Sequence, residues 1–136
     1  MNTIPIPSSF VLEAISIDRP FADVFKILAD RYRLPDWTKA FSNITPEGAD
    51  FDTPAGIVPI KLIVQSDALS GVVDTVMTFP DGNTWKAYSR AISETPTRTN
   101  VQFFFAPPFP PEALGELLPK LTATIKEELV LLKSLC

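Results

Sequence analysis

The chain has 136 residues and a mass of 15.0 kDa, with 46% hydrophobic and 21% charged residues. This length and composition predict one globular domain over residues 1–136 with a core of its own. The net charge of −4 offers no basic surface for nucleic acid or for an anionic membrane. The sequence contains no histidine, which excludes Ser-His-Asp and Cys-His catalysis and the usual histidine-bearing metal sites.

The cysteine and hydropathy patterns indicate the compartment. Cys136 is the single cysteine, so the chain forms no internal disulfide or thiolate-held cluster, and we expect neither a metal nor a cofactor. No run of about eighteen apolar residues occurs, which predicts no membrane span. Met1 to Phe10 lacks a basic segment followed by an apolar run, so we expect a cytoplasmic protein.

The N-terminal part of the chain combines one strand with two short helices. Ser9 to Ile17 is rich in β-branched and apolar residues and predicts a strand. Pro20 then marks a helix start. The first helix has four apolar residues on one face, which are Phe21, Val24, Phe25 and Leu28. Pro35 opens a second short helical turn that carries Trp37 and leads to Phe41.

The middle of the chain alternates with a period of two, which is typical of strands. A weak strand is predicted at Ile44 to Ala49, where Pro46 interrupts the pattern. The clearer strands are Ile57 to Gln65, Val72 to Phe79, Trp85 to Ile92 and Thr99 to Phe105. Short connections between consecutive strands indicate an antiparallel meander, because parallel neighbours need long crossovers.

A long helix follows the meander. Pro107 to Pro111 blocks further strand pairing, and Glu112 to Leu135 has a helical pattern. Its apolar stripe consists of Leu114, Leu118, Leu121, Ile125, Leu129 and Leu132. Pro119 falls inside this helix on the opposite side, so we expect a kink there. Because the sheet and the helix each have one apolar face, they are expected to bury against each other in an α+β domain.

Short motifs along nearly the whole chain carry a family resemblance. They are Ile15 to Pro20 with Val24-Phe25, Leu34 to Trp37, Gly71 to Asp74, Asp81-Gly82, Arg90, and Glu128 to Lys133. This combination resembles the helix-grip superfamily of START, polyketide-cyclase and birch-pollen-allergen-like domains, often called SRPBCC. The resemblance implies a curved antiparallel sheet of six or seven strands wrapped around a long C-terminal helix. It also implies two short helices after the first strand and a ligand cavity between the sheet and the long helix.

The hairpin at Asp81-Gly82 predicts which side chains face that cavity. A two-residue type I′ turn places Asp74 opposite Ser89 and Val76 opposite Ala87, and opposite side chains share a face. One face of the sheet then carries Ile60, Leu62, Val64, Val72, Val76, Trp85, Ala87, Val101, Phe103 and Phe105. The other face carries Lys61, Gln65, Thr75, Lys86, Tyr88, Arg90 and Gln102. The predicted ligand-binding residues are Trp37, Phe41, Leu62, Val76, Trp85, Ser89, Phe103, Phe105, Leu121 and Ile125.

Two carboxylates fall on predicted faces that are otherwise apolar. Asp74 falls within the predicted cavity face beside Ser89. It is either a polar anchor or general acid/base in the cavity, or a structural residue whose carboxylate accepts hydrogen bonds from nearby hydroxyls and backbone groups. In related sequences a histidine often follows this aspartate, whereas Thr75 stands there in this chain, which weakens a catalytic role. Glu128 lies within the apolar stripe of the long helix and either reaches the cavity rim or extends to solvent.

Three functions are compatible with these patterns. The first is binding of a small hydrophobic or aromatic ligand, lipid-like or polyketide-like, in the cavity. The second is a cyclase- or dehydratase-type enzyme in which Asp74 moves a proton without histidine or metal. The third is a protein-interaction module that uses the sheet or the edge at Pro107 to Pro111, and a homodimer is left open as a partner.

Overall fold

The computed structural model describes residues 9–53, 55–109 and 111–136. Most of Met1 to Phe10, where the sequence predicts no signal segment, lies outside the described residues. The strands are β1 (Val11–Ile17), β2 (Phe41–Ser42), β3 (Gly48–Thr53), β4 (Gly56–Asp67), β5 (Val72–Thr78), β6 (Thr84–Thr95) and β7 (Arg98–Phe105). The helices are α1 (Phe21–Leu28), α2 (Leu34–Trp37) and α3 (Leu117–Leu135). Short 3₁₀ turns cover Arg31–Arg33 and Pro111–Ala113.

All of these strands form one antiparallel sheet in the order β1-β7-β6-β5-β4-β3-β2. Each strand from β2 to β7 pairs with its neighbour in sequence, and β1 returns to pair with β7, with Val11 opposite Phe105 and Ile17 opposite Thr99. The sheet is curled, and α3 packs on its inner side. The predicted α+β helix-grip arrangement, with two short helices after the first strand, is confirmed.

The apolar stripes of the helices meet the inner face of the sheet in one core. Val24 and Leu28 of α1 and Ile125, Leu129 and Leu132 of α3 are buried and belong to the same hydrophobic cluster. Full burial of such a side chain stabilises the fold by about 1.5–3 kcal/mol. Within the described ranges, no helix is long and apolar enough to cross a membrane.

Two predicted elements have different bounds in the structure. α3 begins at Leu117 rather than at Glu112, so Pro119 lies in its first turn, where a backbone N–H would have no partner within the helix. The expected kink at Pro119 is wrong for this reason. The weak strand predicted at Ile44 to Ala49 is also misplaced, because Pro46 lies in the turn between β2 and β3 and the strand begins at Gly48.

The hairpin between β5 and β6 has a three-residue loop instead of the predicted two-residue turn. Phe79 donates its N–H to the Asn83 carbonyl at 2.9 Å, and Gly82 donates to the Phe79 carbonyl at 2.9 Å. Gly82 has a φ of 88°, whereas Asp81 does not have a positive φ. The loop is therefore a type I turn followed by a left-handed glycine, and Pro80 occupies the position that such a turn favours for proline.

The extra loop residue exchanges the two faces of β5. Asp74 lies opposite Tyr88 and Thr75 lies opposite Ala87, one residue away from the predicted pairing. The side chains of Asp74 and Val76 consequently lie on the outer face, and the prediction that they face the cavity is wrong. β4, β6 and β7 present the predicted faces.

Gly71, between β4 and β5, occupies a position with no room for a side chain. It has a φ of 77°, and a Cβ there would lie 2.0 Å from the Ala91 carbonyl oxygen and 3.0 Å from the Phe21 ring. Gly82 has a φ of 88° but open space around a Cβ. Both positions would impose backbone strain on alanine, but only Gly71 would also force a clash with backbone.

We predict that Gly71→Ala lowers the free energy of unfolding by about 3 kcal/mol or more, and that Gly82→Ala lowers it by about 1 kcal/mol. Chemical denaturation of both variants, followed by circular dichroism, measures the difference. Equal losses for the two variants would contradict the close approach of Gly71 to Ala91.

Candidate functional site

The inner face of the sheet and α3 do not meet over their whole extent. α3 makes most of its close backbone contacts with β1, an edge strand of the sheet, and with α2. Inner side chains of β4 to β7 are left facing a cavity of about 320 Å³ that is partly open to solvent. The rest of the wall comes from β3, α1, the 3₁₀ turn at Arg31–Arg33, α2 with the residues that follow it, and α3.

Aromatic rings form a large part of the cavity wall. The ring centroid of Trp85 lies 5.9 Å from that of Phe51 and 5.9 Å from that of Phe105. Phe51 also packs edge-on against Phe41, with centroids 5.3 Å apart. Aromatic pairs prefer such tilted and edge-to-face arrangements, and they present both ring faces and ring edges to their surroundings. A wall of this kind suits a flat apolar molecule.

Small residues on β6 make the wall hollow. Ala87 lies opposite Phe105 and Ser89 lies opposite Phe103, and these side chains all line the cavity. A small side chain next to a large one leaves space that a larger residue would fill. Ser89 is 8% exposed and adds a hydroxyl group to this apolar surface.

Three donor nitrogens on two side chains of the wall have no hydrogen-bond partner among the described residues. The Nε and Nη2 atoms of Arg31 and the Nε1 atom of Trp37 are buried and unbonded, and both side chains line the cavity. Arg31 is the first residue of a 3₁₀ turn. The Asp30 side chain caps the N-terminus of this turn, because it accepts a hydrogen bond from the Tyr32 N–H at 3.0 Å. An unsatisfied buried donor costs about 1–3 kcal/mol. The wall therefore has hydrogen-bonding capacity that the described protein atoms do not use.

Glu128 brings a carboxyl group to the cavity from α3. Its Oε2 atom accepts a hydrogen bond from the Lys39 backbone N–H at 2.9 Å. Burial raises the pKa of the Glu128 carboxyl, and the hydrogen bond from Lys39 offsets this only in part. Of the two alternatives left open by the sequence, Glu128 reaches the cavity wall.

The structure brings most of the predicted ligand-binding residues together. Those that line the cavity are Trp37, Phe41, Trp85, Ser89, Phe103, Phe105, Leu121 and Ile125. Leu62 faces inward but is 1% exposed and packs in the core beside the cavity. Val76 and Asp74 lie on the outer face, where Asp74 borders a separate shallow groove with Tyr88 and Arg90. Ligand binding by these lining residues stays a prediction.

The sequence pattern does not indicate several of the lining residues. The sequence predicts Thr75 on the outer face, because the predicted two-residue turn before β6 is one residue shorter than the loop in the structure. Phe51 lies in β3, beyond the predicted end of that strand at Ala49. Arg31 lies in a 3₁₀ turn without an apolar period, so no pattern indicates that its side chain faces inward.

No protein-family model matches this sequence, and no curated protein sequence matches it. Solved structures match over most of the chain. The di-domain ARO/CYC BexL from the BE-7585A biosynthetic pathway matches with a TM-score of 0.69 and 12% identity, over 92% of this chain and 45% of that chain. The Zhui aromatase/cyclase from Streptomyces sp. R1128 matches with a TM-score of 0.61 and 16% identity, over 90% of this chain and 87% of that chain.

A START superfamily protein from Mycobacterium smegmatis matches with a TM-score of 0.59 and 11% identity, over 88% of this chain and 93% of that chain. This chain spans about half the length of BexL and most of the length of the other two. The chain therefore has the same helix-grip fold as these solved structures.

The raised pKa of Glu128 predicts a pH-dependent contribution to stability. The folded protein holds the Glu128 proton more tightly than the unfolded chain does. This contribution is therefore fully present below the ordinary pKa of 4.5 and is lost as the pH rises through the raised value. We expect Glu128→Gln to raise the free energy of unfolding above that of the wild type at about pH 8 and to leave it nearly unchanged at about pH 4, since glutamine can still accept from Lys39.

Glu116→Gln is the matched control, because Glu116 is exposed just before α3. Denaturant unfolding of the two variants and the wild type at both pH values measures the effect. A Glu128→Gln effect of the same size at both pH values would contradict the raised pKa.

Proposed function

We propose that the protein binds a small hydrophobic or aromatic molecule, lipid-like or polyketide-like, in the cavity between the sheet and α3. The observation that carries this proposal is a cavity of about 320 Å³ whose wall is mainly aliphatic and aromatic, with a few polar groups. Ligand sites in proteins typically have volumes of about 300–1,000 Å³ and a lining of this composition. The aromatase/cyclases BexL and Zhui share the fold, which supports a polyketide-like ligand.

The apolar wall supplies the affinity. A ligand that buries about 300 Å² of apolar surface gains about 7.5 kcal/mol before the costs of association. The costs of association reduce this gain, so apolar burial of this extent alone gives a dissociation constant weaker than about 3 µM. The polar groups of the wall then select among molecules of similar apolar area.

The proposal concerns binding and does not depend on a reaction. A cyclase- or dehydratase-type mechanism with Asp74 as the acid/base does not follow from the structure, because Asp74 lies on the outer face, across the sheet from the cavity. A proton donor must lie within hydrogen-bond reach of the group it protonates. Asp74→Asn is therefore not expected to change ligand binding in the cavity.

The two tryptophans of the chain, Trp37 and Trp85, both line the cavity, so intrinsic fluorescence reports on its occupancy. We predict that the neutral probe N-phenyl-1-naphthylamine binds saturably, with one molecule per chain and energy transfer from tryptophan. Fluorescence titration with calorimetry measures the stoichiometry and the dissociation constant. Non-saturating uptake, or binding without any change in tryptophan emission, would contradict the proposal.

Thr75 and Val76 provide a matched pair of positions on opposite faces of β5. We predict that Thr75→Phe weakens binding of N-phenyl-1-naphthylamine by about tenfold or more, because overfilling a packed space costs about 1–3 kcal/mol. Val76→Phe adds a ring to the outer face and is expected to leave the affinity unchanged. Thermal unfolding of both variants verifies that they fold, and equal affinities for the probe would count against the cavity as its site.

A further inference from the structure

We infer that the ligand of this cavity carries a carboxylate group, which Arg31 and Trp37 bind. The inference rests on the proposed function, since it concerns the polar end of a molecule whose apolar body fills the cavity. It names the chemical class of that ligand as an apolar or aromatic carboxylic acid in its ionised form.

The pattern of unbonded atoms on Arg31 points to a carboxylate in particular. Its Nε and Nη2 atoms are buried and have no acceptor among the described residues. These two nitrogens share one edge of the guanidinium plane, and their N–H groups are parallel. One edge of this kind binds both oxygens of a carboxylate at once, whereas a single carbonyl oxygen satisfies only one of the two donors well.

Trp37 adds a third donor to the same wall. The residue is 4% exposed and its indole Nε1–H has no acceptor among the described residues. Buried tryptophans normally find a partner for this N–H. A carboxylate has about four lone-pair sites on its two oxygens, so it can accept from the Arg31 edge and from an indole together.

The charge balance of the wall makes Arg31 the available cation. The Lys39 ammonium pairs with Glu127 outside the wall, and the Lys39 backbone N–H is already used by Glu128. Arg31 forms no ion pair with any carboxylate in the described part of the chain. Because arginine stays protonated when buried, a ligand anion is what would neutralise it.

Glu128 lies in the same wall and would repel a ligand carboxylate when ionised. Burial raises the pKa of Glu128, so its carboxyl group is neutral up to a higher pH than an exposed glutamate would be. Asp52, which also lines the cavity, is exposed and therefore screened by water. These two acids weaken the attraction of the site for an anion but leave the Arg31 edge as its strongest polar feature.

The test compares 2-naphthoate with its neutral amide, 2-naphthamide, which has almost the same shape and apolar area. Each compound is titrated into the protein by calorimetry, at physiological ionic strength and about pH 7. We expect the wild type to bind 2-naphthoate about tenfold to a hundredfold more tightly than 2-naphthamide, the range for hydrogen bonds to charged groups. Arg31→Met should remove this preference, which is measured as the ratio of the two affinities within the same variant.

Further variants separate the effect of the paired Arg31 donors, Nε and Nη2, from the effect of positive charge alone. Arg33→Met is the matched control, because the Arg33 side chain pairs with Asp36 at 2.6 Å and does not line the cavity, so it should keep the full preference. Arg31→Lys keeps the positive charge without the paired donors and should lose most of the preference. Trp37→Phe keeps an aromatic ring but removes the N–H and should reduce the preference in part.

The outcomes distinguish this inference from the proposed function. If N-phenyl-1-naphthylamine binds but the wild type shows no preference for 2-naphthoate, or keeps its preference in Arg31→Met, the carboxylate inference is overturned and the hydrophobic site remains. If neither N-phenyl-1-naphthylamine nor the naphthalene compounds bind, the proposed function is overturned as well. Should Arg31→Met not fold, the preference measured in Trp37→Phe and Arg31→Lys decides, and an undiminished preference in both overturns the inference.

Discussion

The cavity depends on where α3 lies on the sheet. The inner face of the sheet is apolar and α3 has one apolar stripe, so removal of both from water brings them together. Ile125, Leu129 and Leu132 are buried in that contact, but the backbone of α3 lies closest to β1 at the edge of the sheet and to α2. A curled sheet bends away from a helix that rests on its edge. The space between them stays unfilled by backbone, and only side chains can close it.

The side chains of β6 keep part of that space open. Ala87 and Ser89 are small, and each lies opposite a phenylalanine of β7. Protein interiors are normally close-packed, and an unfilled region costs stability in proportion to its size. The polar atoms of Arg31 and Trp37 at the same cavity add a further cost when they lack partners. Both costs fall on residues that line the same cavity, and a local loss of folding stability of this kind is expected at functional sites.

The strand and helix periods were sufficient to predict the order of elements, the α+β class and the inner face of β4, β6 and β7. On β6, charged Lys86 and Arg90 alternate with small residues, so only one face can be buried. β5 reads Val72-Val73-Asp74-Thr75-Val76-Met77 and has valines on both faces, so its pattern does not select one of them. The length of one hairpin loop was then decisive, and Pro80 was the residue that distinguished a three-residue loop from a type I′ turn.

Arg31 could not be predicted from the sequence for a different reason. It lies in a 3₁₀ turn between two short helices, where no period relates a residue to the core, and arginine is most often exposed. Its position matters because apolar walls bind any molecule of sufficient apolar area to a similar extent. Buried donors act in the opposite way, since a ligand that lacks the matching acceptor leaves them unpaired and loses more affinity than a missing methylene would cost. Under the proposed function, the aromatic rings around Trp85 set how tightly a ligand is held, and under the further inference the Arg31 edge sets which ligand is chosen.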